Sequence, residues 1–87
     1  MDDVVYRSKE YIIIRKKSNK KLGFVVINTR KDFKQGHTHV MNYNTAKTLI
    51  SLSKNNTLPK SHNEYFINSL IRISRDSVYI EKLKNIL

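Results

Sequence analysis

The chain has 87 residues, seventeen Lys+Arg against seven Asp+Glu for a formal net charge of +10, a hydrophobic fraction of 39% and no cysteine. This length supports one domain with a single modest core, and the clustering of the apolar residues excludes wholesale disorder. The lack of cysteine excludes disulfides and thiolate metal sites, no apolar run approaches the roughly 18–20 residues that span a bilayer, and the start Met1-Asp2-Asp3 is acidic where a secretory signal is basic.

Val4-Val5-Tyr6 reads as a short edge strand. Two stronger strands follow, Tyr11-Ile12-Ile13-Ile14-Arg15 and Phe24-Val25-Val26-Ile27, both rich in β-branched and aromatic residues. Between them Lys16-Lys17-Ser18-Asn19-Lys20-Lys21 is polar, with Ser18-Asn19 as the turn, so the pair is expected to form an antiparallel hairpin with a charged tip. Residues 28–35 make a polar, basic connection, Gly36 is expected to supply an unusual backbone angle, and His37–Val40 suits a brief strand returning onto the hairpin.

The second half is helical in pattern. Asn42 or Asn44 can cap a helix in which Ala46, Leu49, Ile50 and Ser53 share a face, and Asn55-Asn56 ends it. Leu58-Pro59 opens the next segment, where Ser61-His62-Asn63-Glu64 has the form of a capping box and Phe66, Ile67, Leu70, Ile71 and Ile73 follow at helical spacing. After a break near Ser74-Arg75, Asp76 starts a last helix with Val78, Tyr79, Leu83, Ile86 and Leu87 as its apolar side. Lys82 and Lys84 lie near its C-terminal end, where the helix dipole favours positive charge. The expected fold is therefore α+β: an N-terminal antiparallel β-hairpin or three-stranded sheet followed by two to three packed helices, in one basic domain over residues 1–87.

Charge is concentrated. Arg15, Lys16, Lys17, Lys20, Lys21, Arg30, Lys31 and Lys34 against the single acid Asp32 place +7 of the total +10 between residues 15 and 34. Lysines on edge strands also discourage aggregation, but this density exceeds that need and suits a polyanion, with salt-dependent attraction to DNA or RNA. No helix-turn-helix, zinc-finger, ribonucleoprotein or KH pattern accompanies it.

His37 and His39 are the most specific feature. In a strand both point to one side and could share a metal ion, but a stable site needs three or four protein ligands and only His62 and Asp32 are on offer, so no metal is expected. Anion recognition fits better: the imidazoles are flanked by Lys34 and Lys47, with backbone donors at Gly36 and at the helix start near Asn44. His37, His39, Asn42 and Lys47 are the expected ligand-facing group, although the asparagines serve equally as cap and turn residues. No paired carboxylates, nucleophile elbow, phosphate-binding loop or cysteine points to catalysis, so neither an enzyme nor a cofactor is expected. At 87 residues, a second copy of the chain has room to cover part of the apolar surface.

The run Gly36-His37-Thr38-His39, then Asn42, Asn44, Ala46-Lys47, Leu49-Ile50, Pro59 and Ser69-Leu70-Ile71-Arg72-Ile73-Ser74, resembles small uncharacterised accessory proteins carried by phages and mobile elements of AT-rich Gram-positive bacteria. The likeness runs from about residue 10 to the end. It implies a setting in the host cytoplasm, in which such proteins counter host defence by blocking a defence protein, such as a CRISPR effector, or by sequestering a nucleotide signal. Many CRISPR inhibitors are acidic mimics of DNA, and this chain departs from that pattern. The expectation is a non-enzymatic anti-defence inhibitor that binds a defence protein, its RNA or a nucleotide phosphate through Lys16, Lys17, Lys20, Lys21, Arg30, Lys31 and Lys34. The competing expectation is a DNA- or RNA-binding regulatory module of a mobile element.

Overall fold

The computed structural model describes residues 3–16, 23–60 and 63–87. Lys17, Lys20, Lys21, the Ser18-Asn19 turn and Ser61-His62 lie outside the described residues. The fold is α+β, as the pattern predicts, with four strands: β1 (Asp3–Arg7), β2 (Tyr11–Arg15), β3 (Phe24–Asn28) and β4 (His37–Val40). They form one antiparallel sheet in chain order, so each strand pairs with its sequence neighbour. The Lys16 N–H donates to the Gly23 carbonyl (2.7 Å), which extends the β2–β3 pairing past the strand ends. The β1–β2 register shifts between Val4 and Tyr6, the bulge of an edge strand.

Side-chain alternation divides the sheet. Tyr11 and Ile13 of β2, Val26 and Asn28 of β3, and Thr38 and Val40 of β4 are buried, with Ile13, Val26 and Thr38 side by side in the register. Helices α1 (Tyr43–Lys54) and α2 (Glu64–Ile73) pack on that face, and α3 (Ser77–Asn85) packs on α2. Tyr11, Ile13, Val26 and Val40 join Leu49, Ile50, Ile67, Leu70, Ile73 and Leu83 in one apolar cluster.

Each helix starts on a side-chain cap. Asn42 Oδ1 accepts from the Thr45 N–H (2.8 Å), Asn63 Oδ1 from the Phe66 N–H (2.8 Å), and Asp76 Oδ1 from the Tyr79 N–H (3.0 Å). The cap of α2 is thus Asn63, the third residue of the run expected to form a capping box. Helix α1 ends on Asn56 at φ 52°, with Thr57 N–H bonded to the Leu52 carbonyl and Asn56 N–H to that of Ser53, an arrangement that satisfies its last carbonyls.

Two expectations need correction. Gly36 has no left-handed angle; it is required because a Cβ there would lie 2.5 Å from Lys31 Cβ. The apolar side of α3 is narrower than its sequence suggests: Tyr79 and Leu83 are buried, whereas Val78, Ile86 and Leu87 are exposed, because among the described residues α3 packs mainly on α2. No helix among the described residues is long and apolar enough to cross a membrane.

Candidate functional site

The two histidines do share a face. Thr38 points to the helices, where its hydroxyl meets Ser69 Oγ at 2.7 Å, so His37 and His39 project from the opposite side of β4. Their rings stand edge to face with centroids 5.2 Å apart. The His37 ring stacks on Phe33, 4.2 Å between centroids and nearly parallel, and its Nδ1–H donates to the Phe33 carbonyl. Burial is the largest influence on His39, followed by the charges of His37, Lys16 and Arg72, and together they hold its imidazole below the usual value of 6.5. Positive charge therefore gathers around His39. Among the described residues no three His, Cys, Asp or Glu side chains come together to hold a metal ion.

Arg72 organises this edge of the sheet. Its Nε donates to the His37 carbonyl (2.6 Å) and its Nη2 to the Lys34 carbonyl (2.7 Å), while the Tyr65 hydroxyl donates to the His39 carbonyl. The outward carbonyls of β4, which an edge strand would leave open, are thus occupied by side chains from α2.

The remaining expected site residues are dispersed. Asn42 Oδ1 is engaged as the α1 cap. Lys47 Nζ lies 3.8 Å from the centroid of the Tyr6 ring, at the β1 side of the molecule and away from β4. The Gly36 N–H donates to the Asp32 carbonyl (2.8 Å) instead of facing outward. Lys31 Nζ donates to the carbonyls of Arg72 (2.8 Å) and Ser74 (3.0 Å), so it closes the C-terminus of α2; desolvation, then the Arg72 charge, lowers its pKa. Arg30 is exposed beside Glu10, and Lys34 is exposed near Arg72. His37, His39, Lys16 and Lys34 therefore adjoin one region, Lys31 borders it through Arg72 with its ammonium spent on the α2 terminus, and Arg30, Asn42 and Lys47 lie elsewhere.

Two features escape the sequence reading. Fully buried Asn28 joins three segments: its Nδ2 donates to Glu10 Oε2 and to the Ile73 carbonyl (2.8 Å each), and its Oδ1 accepts from the Arg30 N–H (2.8 Å). Burial pushes the Glu10 carboxyl up, but the hydrogen bonds from Asn28 and Arg75 and the charges of Arg75 and Arg30 outweigh it and hold the pKa below 4.5. Beneath, Ser74 Oγ donates to the Leu70 carbonyl, so Ser53 must donate to Ser74 and Tyr11 to Ser53, a directed chain of hydroxyls at 2.9, 2.7 and 2.6 Å. Among the described residues no buried side-chain polar atom lacks a partner, so this network satisfies itself.

No protein-family model, no curated protein and no solved structure matches the chain.

Proposed function

We propose that the chain is a non-enzymatic anti-defence inhibitor that binds a defence protein, its RNA or a nucleotide signal through a basic surface centred on the outer side of β4. The observation that carries this reading is the approach of Arg72 to the backbone of His37 and Lys34 beside the paired His37 and His39 rings, where burial and then the charges of His37, Lys16 and Arg72 lower the His39 pKa. An electropositive region of this kind steers an anionic partner and is screened by salt. The separation of His37 and His39 from Asn42 and Lys47 favours a broad macromolecular contact over a small nucleotide pocket. The setting, a phage or mobile element in a host cytoplasm, rests on the sequence resemblance alone.

The test is affinity capture from host lysate with wild-type chain and with the Lys16→Glu/Lys34→Glu variant. The expected result is a captured component that elutes as salt rises and that the variant fails to retain. Capture that is indifferent to both salt and charge reversal overturns the reading. The second reading, a nucleic-acid-binding regulator, is favoured by the +7 carried between residues 15 and 34. It requires duplex DNA or RNA to bind at low salt and to dissociate steeply as salt rises; no binding at low salt removes it.

A further inference from the structure

We propose that the helix-free face of the sheet is a docking surface for an acidic protein segment that also carries aliphatic or aromatic side chains. The inference rests on the reading above and deepens it by naming the centre of the surface and the class of partner.

The argument begins in the strands. An antiparallel sheet with one face in water alternates apolar and polar residues. β2 (Tyr-Ile-Ile-Ile-Arg) and β3 (Phe-Val-Val-Ile-Asn) do not alternate; they are continuous apolar runs, the pattern of strands covered on both sides. Yet α1 and α2 cover one side only, and among the described residues no helix lies on the other. The register places Val4, Ile14, Val25 and His39 in one row across that side, and Arg7, Ile12, Ile27 and His37 in the next. Val25 is 3% exposed and lies outside the main core cluster, between Ile14 and His39 in the row on this second face. Ile12, Ile14 and Ile27 are half-buried, and the surface continues onto exposed Val4 at one margin and exposed Phe33, stacked on His37, at the other. Aliphatic surface left in water costs about 25 cal/mol per Å² relative to burial, so this face gains by being covered.

Charge selects the occupant. None of the register positions on this face is acidic. Arg7 ends one row, Lys16 lies just past the end of β2 and acts on His39, and Lys34 and Arg72 flank β4. A second copy would bring another +10 against this rim. A nucleic acid would bring the right sign but the wrong centre. Bases bind sheet faces by stacking on aromatic rings, and here the centre is aliphatic, with Phe33 already stacked on His37. A protein segment with carboxylates around an apolar stripe complements both parts.

The experiment selects binders from a displayed library of random 16-residue peptides and maps a selected peptide by NMR on isoleucine-methyl-labelled chain. Polyglutamate, a single-stranded oligonucleotide and chain concentration alone serve as comparisons. The expected result is a peptide rich in Asp/Glu and in Leu, Ile or Phe that shifts the Ile12, Ile14 and Ile27 methyls and spares core Ile13. Ile12→Thr/Ile27→Thr, with its melting curve as the check on folding, weakens that peptide about tenfold or more and leaves polyglutamate unchanged. Four results overturn the inference: no enriched peptide, a peptide that shifts other methyls, an oligonucleotide that shifts the Ile12, Ile14 and Ile27 methyls, or shifts at those methyls that grow with chain concentration alone. If one of these occurs while polyglutamate still binds and is released by salt, the basic-surface reading survives without the apolar face. If polyglutamate does not bind even at low salt, the basic-surface reading itself fails.

Discussion

Gly36 and Asn28 show how much one side chain decides here. A methyl at position 36 would press on Lys31 Cβ, which sits at the root of its side chain and cannot swing away. Lys31 in turn holds the last carbonyls of α2. Gly36→Ala is expected to destabilise the chain by about 1–3 kcal/mol, measured by chemical denaturation; a neutral effect would mean that the loop shifts freely. Glycine at 36 was legible as a requirement, but its reason was not, because the crowding comes from a residue whose position depends on α2. His39 supplies a pH test. Its lowered pKa means that the unfolded chain takes up a proton at higher pH than the folded chain does. The stability is therefore full above about pH 6.5, falls as pH drops through the lowered folded value, and levels below it. Thermal melts from pH 8 to 4 should show a shallower decline for His39→Gln than for wild type, and equal slopes would count against the lowered value.

At the scale of elements, the edges of the sheet are treated differently. β1 carries a bulge, whereas the outer carbonyls of β4 are engaged by Arg72 and Tyr65 from α2. Arg72→Ala frees the His37 carbonyl of β4 and the Lys34 carbonyl of the preceding loop to water, so its cost in stability is expected to be small, under about 1 kcal/mol. It also opens the edge to pairing with another chain. Light scattering on a concentrated sample should show faster aggregation for Arg72→Ala than for wild type, and identical curves would argue that the edge needs no cover. The Arg72 role could not be read from the sequence, since nothing local to α2 reveals that β4 runs beside it. By contrast, the faces of α1 were legible: Ala46, Leu49, Ile50 and Ser53, expected together at helical spacing, are its buried residues. α3 misled because its periodicity says which side is apolar, not how much of that side a neighbour covers.

For the whole molecule, the excess of positive charge sets the balance. The ion pairs Arg15–Asp3 at 3.3 Å and Arg75–Glu10 at 3.0 Å are both substantially exposed. Exposed pairs contribute little, so self-repulsion of a +10 chain outweighs them. The melting temperature is expected to rise as salt goes from about 10 mM, where charges act over about 30 Å, toward about 1 M, where they act over about 3 Å. A fall over that range would mean that the pairs dominate.

The sequence by itself determined the α+β class, the order of strands and helices, the charge imbalance and the common side of His37 and His39. Each of these follows from local periodicity or from simple counting. Only the tertiary structure decided which expected site residues meet. It drew Lys31 and Asn42 into helix ends, sent Lys47 to Tyr6, and brought Arg72 to the histidine strand from 35 residues away. Among the described residues it also left one side of the apolar runs Tyr11–Ile14 and Phe24–Ile27 without a helix. The physical reason is the same in each case: a side chain's partner across the fold is set by the packing of helices on the sheet, and no local pattern encodes that packing.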